Sequence, residues 1–252
     1  MKLKLVFILL LSVLVSCKKA STVSFSSENF SESELQICEN DPCSKIDIDY
    51  IIASGNKEVT ENINTKIETY IISKLFLGED EQPSAKTIKE AANQFVIAYR
   101  DHKNEFEYNL EYEAEISVSK VFENTNLTSL QFQSYLYTGG AHGYGSTEFK
   151  NFDLHTGKEI NTSDLFNDYN GFLKLVETEF RKEFKIPEEE SINYNGFWFD
   201  DDIFYLPESI GFLKKELLFI YNQYDIASYA EGPIVFSISK KKATPFIKKE
   251  FL

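Results

Sequence analysis

Residues 137–145 read YTGGAHGYG. Four glycines and a histidine fall in nine positions of a 252-residue chain that has only 11 glycines and three histidines. Gly139, Gly140, Gly143 and Gly145 suit the tight backbone path of a connection between strands. The same amides would also suit a nest that holds an anion. The spacing departs from a phosphate loop, and no Lys-Ser/Thr pair follows it. His142 is of a type that titrates near neutrality or binds metal, yet His102 and His155 stand at no ligand-like spacing from it. The expectation is a structural connection, with Gly139, Gly140, His142 and Gly143 as a binding loop carried on a rigid sheet. A second stretch, FWFDDDIF at 197–204, sets three aspartates beside the only tryptophan. Carboxylates are the ligands of hard cations, but consecutive ones on an extended chain point alternately. A solvated loop anchored by its aromatics is expected there. The chain has no G-x-S-x-G elbow and no H-E-x-x-H helix. Nothing singles out a pair among its 40 acids for glycoside hydrolysis. No catalytic residue, metal ligand or cofactor is assigned, and binding is expected over catalysis.

The N-terminus says where the protein works. Lys2 and Lys4 precede the apolar run LVFILLLSVLV at 5–15, which is too short to span a bilayer and sits where a secretory signal belongs. The run ends in LVSC, residues 14–17, which resembles the lipobox of bacterial lipoproteins. That resemblance implies cleavage before Cys17 and a lipid on its thiol, so that acyl chains hold the body at a membrane. Removal of residues 1–16 takes two lysines and no acids, moving the net charge from −14 to −16. So acidic a body argues against nucleic acid and against a grip on anionic lipid by a basic patch. A basic protein partner is compatible with it, and so is mere solubility. Cys38 and Cys43 bracket ENDP, and in an oxidising compartment they read as a small disulfide loop in preference to free thiols. Lys18 and Lys19 follow the lipidated cysteine with no acidic cluster. This favours the periplasmic side of an outer membrane within the bacterial cell envelope.

The elements that must position these residues alternate in type. Residues 18–42 are rich in Ser, Glu and Asn and read as a tether. KIDIDYIIAS at 45–54 reads as a strand, followed by a helix carrying Val59, Ile63, Ile67, Tyr70, Ile71 and Leu75. A second helix carries Ile88, Ala91, Ala92, Phe95 and Tyr99, with Ser84 as its cap. Tyr108, Leu110, Tyr112, Ala114, Ile116 and Val118 alternate with polar residues, giving one wet and one buried strand face. SLQFQSYLY at 129–137 and STEFKNFDL at 146–154 are its expected neighbours. A helix with Phe172, Leu175, Val176, Phe180 and Phe184 follows, and strands from ELLFIYNQYDIASY and PIVFSIS close the chain. The blocks predict an α+β fold, antiparallel sheets with packed helices in two modules. Its core would draw on 22 Phe and 14 Tyr. The boundaries are a signal peptide over 1–16, a tether over 17–43, and modules over 44–140 and 141–252.

Two segments together resemble the two-module RsiV/PdaC-like extracytoplasmic domains. One runs over 135–166 and holds Gly139 to Gly143, then Phe152, Asp153 and Leu154, then Thr156, Gly157 and Lys158, then Asp164, Leu165 and Phe166. The other, YNQYDIASYAEGP at 221–233, holds Tyr224, Tyr229 and Gly232, with Asp225 and Ser228 where the family has Glu and Pro. In that family a similar region of an anti-sigma factor binds lysozyme, and in a peptidoglycan deacetylase one precedes the catalytic domain. FDDDI at 199–203 resembles the deacetylase metal motif, but the following glycine and the His-x-x-x-His ligands are missing. The resemblance therefore implies a lipid-anchored envelope protein that binds a lysozyme-like protein or a peptidoglycan-related ligand. The alternative is an envelope glycan hydrolase or a deacetylase-related enzyme using acids near Trp198 together with His142.

Overall fold

The computed structural model describes residues 23–78, 82–105 and 110–252. The signal peptide and Cys17 lie outside the described residues, as does Tyr108. The fold is α+β with two open sheets. The first has the order β1-β2-β3-β4-β5, from β1 (Ser24–Ser31), β2 (Lys45–Ser54), β3 (Glu113–Glu123), β4 (Leu127–Tyr137) and β5 (Tyr144–Asp153). The second is β6 (Ile210–Phe212), β7 (Glu216–Tyr221) and β8 (Ile234–Ser239), all antiparallel. The first sheet is mixed, because β2 runs parallel to β3 with Ile48 opposite Ile116. Helices α1 (Lys57–Leu75) and α2 (Ile88–Glu105) lie between those strands in sequence and supply the crossover that parallel pairing requires.

Local signals fix the helix ends. The Asn56 side chain accepts from the Glu58 and Val59 amides at 3.1 and 3.5 Å and caps α1. For α2 the cap is Thr87, whose hydroxyl accepts from the Glu90 amide at 3.2 Å, while the Glu90 carboxylate accepts from Lys86 N–H at 2.7 Å. Ser84 was the expected cap, but it stands three residues too early and instead accepts from the Gln94 amide. The apolar stripes of both helices pack on the even-numbered face of the sheet. There Ile63, Ile67, Ala92 and Phe95 meet Ile46, Ile48, Ile116 and Phe132. A second core holds Phe172, Val176 and Phe180 of α3 (Tyr169–Glu183) against Phe212, Phe219 and Phe236 of the second sheet. Helix α4 (Lys240–Ala243) closes the module.

Further expectations are corrected. The tether drawn over 17–43 includes β1, which pairs along its length with β2 from Ser24 opposite Ser54 to Ser31 opposite Asp47. An edge strand contributes main-chain hydrogen bonds and needs few apolar side chains, here Phe30 and the nearby Leu35, both buried. The segment is further fixed by the Cys38–Cys43 disulfide, by Glu32 accepting from the Ile46 amide at 2.9 Å, and by Arg100 donating to the Pro42 carbonyl. The boundary placed between 140 and 141 falls inside the first sheet, since β5 is hydrogen-bonded to β4 through residue 153. Of the strand expected from Tyr108 onward, the described residues 110–112 precede β3, which begins at Glu113, and Leu110 is half exposed. The last strand before 222 ends at Tyr221, because Tyr224 takes a positive φ of 72° and the chain turns. Among the described residues no helix is long and apolar enough to cross a membrane.

Candidate functional site: an acidic cleft on the open face of the sheet

Alternation along the strands sends odd-numbered residues of β2, β3, β4 and β5 to the face away from the helices. The lower part of that face is covered by the second module. Leu127 joins the second core; Phe122, turned to this face by the β-bulge after Lys120, packs 6.3 Å from Phe212, and the Phe212 amide donates to the Ser129 hydroxyl at 3.2 Å. The upper part stays open as a cleft of ≈ 520 Å³, floored by Asp47, Asp49, Glu115, Ser117, Gln133 and Thr147. Its wall comes from the second module through Asn222, Gln223 and Pro233. Asp47, Asp49 and Glu115 are all exposed. Glu115 and Glu113 share Lys45 as an ion-pair partner, and their hydrogen bonds to the ammonium raise its pKa well above the usual lysine value. Asp47 and Asp49 have no basic partner within ion-pair distance among the described residues. The cleft thus keeps a net negative face over hydrogen-bonding floor groups, a surface suited to a cationic, polar ligand.

One side chain fixes the wall to the floor. The Asn222 amide oxygen accepts from the Thr147 N–H at 2.8 Å, and its nitrogen donates to the Thr147 carbonyl at 3.2 Å. The edge of β5 therefore has a side chain in place of another strand. Asp225 holds that clamp in turn, its carboxylate accepting from the Asn222 backbone N–H at 2.7 Å.

The glycine loop is a structural connection that docks the two modules. The His142 ring stacks on Tyr229 at 3.8 Å, and the Tyr229 hydroxyl donates to the Gly143 carbonyl at 2.8 Å. Tyr224 packs 5.6 Å from the Tyr229 ring and is half exposed. Gly139 takes a φ of 85°, whereas Gly140, Gly143 and Gly145 do not enter the left-handed region. At Gly143 a Cβ would meet the outer end of the Tyr135 ring, which would have to move. His102 approaches Gly139 from the other side and shares a 2.7 Å hydrogen bond with the Tyr112 hydroxyl.

The remaining motif residues build turns. Asp153 accepts from the His155 and Thr156 amides at 2.7 and 3.0 Å. Gly157, at φ 68°, passes so close to the Val59 carbonyl that no side chain fits. Asp164 accepts from the Asn161 side chain at 3.0 Å, and Gly232 takes a φ of 70°. The Asp200–Asp202 turn is anchored by the buried Phe199 and Phe204, and Asp202 accepts from Ser191. Neither His142 nor that acid run lines the cleft. Among the described residues no group of His, Cys, Asp or Glu is placed to hold a metal ion. The sequence reading missed Asp47, Asp49, Glu115 and Asn222. The acids had a signal, alternation with apolar residues in β2 and β3, but only strand pairing makes neighbours of them.

Comparisons agree with this two-part architecture. The family model described as Deacetylase PdaC matches residues 37–144, and the one described as a protein of unknown function, DUF3298, matches residues 163–241. No curated protein matches the chain. A member of the DUF3298 family from Bacteroides fragilis has the same fold at a TM-score of 0.71 and 20% identity. That alignment covers 92% of this chain and 96% of the other. A DUF3298 family protein from Pseudomonas aeruginosa aligns at a TM-score of 0.61 and 16% identity, again over 92% and 96%. The two domain families indicate an extracytoplasmic, envelope-related protein.

Proposed function

Starting from the chain's membership of the two-module PdaC/RsiV-like family, we propose that it is a lipid-anchored envelope protein that binds a cationic partner in the acidic cleft. The anchor is the lipid on Cys17, and the setting is the periplasmic side of an outer membrane. The partner is a basic, lysozyme-like protein that inserts lysine or arginine side chains between Asp47, Asp49 and Glu115. The observation that carries this reading is the cleft itself: two carboxylates on the sheet without ion-pair partners among the described residues, with a wall from the second module. Charges at such a rim act mostly on the association rate, through the field of the whole body. That field comes from a net charge of −14 on the full chain, which becomes −16 once residues 1–16, with their two lysines, are removed.

Calorimetry of the purified chain with a basic lysozyme tests the proposal. Saturable binding at low ionic strength, weakened as salt shortens the screening length, is expected. Equal absence of binding at low and high salt would remove it. Mass spectrometry of the cell-extracted protein tests the anchor, which requires a diacylglycerol adduct at Cys17.

A further inference from the structure

The charge of the body is unevenly placed. Residues 232–249 hold five lysines and no acid, and Lys214 and Lys215 add two more, in a chain of net charge −14. Hydrogen bonds gather these segments at one end. The Lys240 N–H donates to the Lys215 carbonyl at 2.8 Å, and the Lys248 N–H to the Leu165 carbonyl at 3.0 Å. In the turn between β3 and β4, the side chains of Asn124 and Asn126 donate to the Phe251 and Glu250 carbonyls at 3.1 and 2.6 Å. The half-buried Lys240 sets its ammonium 3.5 Å over the Phe122 ring and braces α4 against the first sheet. Lys242 pairs with Glu179. Lys214, Lys215, Lys241 and Lys249 are exposed and Lys248 is half-buried. None of these five has an ion-pair partner among the described residues. Glu216, Glu231 and Glu250 flank the lysine segments, and Glu216 is engaged by the Ser237 hydroxyl at 2.7 Å.

The chain enters the fold at the same end. Because β2 and β3 are parallel, their C-terminal residues Ser54 and Glu123 share one end of the sheet, and β1 begins opposite Ser54 at Ser24. The Lys120 ammonium lies 5.1 Å over the Phe25 ring, one residue further on. Six residue steps separate Cys17 from the buried Val23, and they reach at most about 22 Å. The lipid proposed for Cys17 therefore brings this end to the bilayer. The acidic cleft lies away from it. Gln133 and Tyr135, opposite Ser117 and Glu115, stand six and eight residues along β4 from Leu127, roughly 20–27 Å at about 3.4 Å per residue. The screening length at physiological salt is about 8 Å, so the cleft acids subtract little from the field of the lysines. The whole-chain charge weighs against a grip on anionic lipid because it averages over two unlike ends.

We infer that the face formed by Lys214, Lys215, Lys241, Lys248 and Lys249 docks on the phosphate groups of an anionic phospholipid bilayer, so that the body rests on its lysines with the acidic cleft turned to the aqueous side. The orientation rests on the anchor proposed above. The attraction does not, since each lysine near an anionic surface is worth about fivefold in partition however the chain is held.

Residues 18–252 carry every described element and both cores. The test uses that body without lipid, so its outcome is independent of any adduct at Cys17. It is sedimented with vesicles of phosphatidylcholine alone, and with vesicles in which about one-third of the lipid is phosphatidylglycerol. Saturable partition onto the anionic vesicles alone is expected, and its loss at high salt. Amine acetylation read by mass spectrometry should spare Lys214, Lys215, Lys241 and Lys249 on the vesicle-bound body. It should still modify Lys103, which follows His102 beside the glycine loop at the opposite end. Lys214→Gln/Lys215→Gln/Lys249→Gln, all at exposed positions, is expected to cut partition by about tenfold or more. Absence of selective binding to anionic vesicles overturns the inference, as does unchanged partition of the triple variant or shielding confined to other lysines. Self-association of the body without vesicle binding, abolished by the triple variant, would assign the face to the acidic cleft of a second copy and also overturn it.

Discussion

Helices α1 and α2 fill the space under the five-stranded sheet with Ile63, Ile67, Ala91, Ala92 and Val96, residues that recur at helical spacing. That core also holds rings, Phe95 and Phe132 among them, but the second module packs them more densely. Phe180 has Phe184, Phe197, Phe199, Phe204 and Phe236 within 4.6–5.4 Å, centroid to centroid. The first core is therefore secured by regular elements whose backbone is already hydrogen-bonded. In the second, aromatic anchors hold down the irregular chain over 184–206, which has little secondary structure of its own. A large ring supplies more buried area per residue than an aliphatic side chain, so a loop can be fixed by a few of them. The lesson is that the first module is a scaffold presenting a flat acidic face, and the second is a wall whose shape depends on rings.

The largest expected effect breaks the second core alone. Phe180 is completely buried, and Phe180→Ala should cost about 3–5 kcal/mol by removing the ring and leaving a cavity. Hydrogen exchange should then rise first over 192–206, with the sheet of the first module still protected. Uniform loss of protection would mean that the two cores do not differ in this way. Next, Gly157→Ala strikes the join between α1 and the turn after β5. A left-handed φ together with a clash against the Val59 carbonyl should cost at least about 2 kcal/mol, read as a lower denaturation midpoint. A midpoint equal to wild type would show that the turn relaxes freely.

Asn222→Ala should cost about 1–3 kcal/mol, since the Thr147 N–H and carbonyl lose their side-chain partner at the β5 edge. The same substitution should weaken lysozyme binding in the acidic cleft, because Asn222 lines it. The smallest effect concerns Asp225. Desolvation of its carboxyl raises the pKa above the ordinary aspartate value; the Asn222 hydrogen bond opposes the rise, and the charge of Glu208 adds to it. Glu148, Tyr144, Tyr205 and Lys74 line the same recess as Asp225, beside the acidic cleft. With a folded pKa above the unfolded one, the native state binds the proton more tightly, so ionisation is a stability cost above the folded pKa. The cost vanishes below the unfolded value, about 4. Asp225→Asn should therefore raise Tm slightly at neutral pH, with no difference in acid. A raised Tm that persists in acid would assign the effect to something other than this carboxyl.

Much of the first module could be read directly from residue spacing. The alternation of Ala114, Ile116 and Val118 marked β3, and the stripes of α1 and α2 marked their buried faces. What escaped was non-local. β1 has too few apolar residues to betray itself, and its partner β2 lies beyond the disulfide loop. The parallel β2–β3 pairing follows only when both helices are seen to cross the sheet. At the site, the conspicuous motif of glycines and His142 turned out to dock the modules, and Asp153, Gly157 and Gly232 to build turns. Asp47, Asp49 and Glu115 looked like ordinary solvent-facing strand residues, because only pairing across strands brings them into one cleft.

The central claim is that binding is directed by the cleft and not by the general acidity of the body. Two variants of equal charge change decide it: Asp47→Asn/Asp49→Asn/Glu115→Gln in the cleft, and Glu188→Gln/Glu189→Gln/Glu190→Gln on the exposed loop after α3. Titrated against a basic lysozyme at low salt, the cleft variant should lose about tenfold or more in affinity, while the loop variant stays close to wild type. Equal losses in the two would contradict the account.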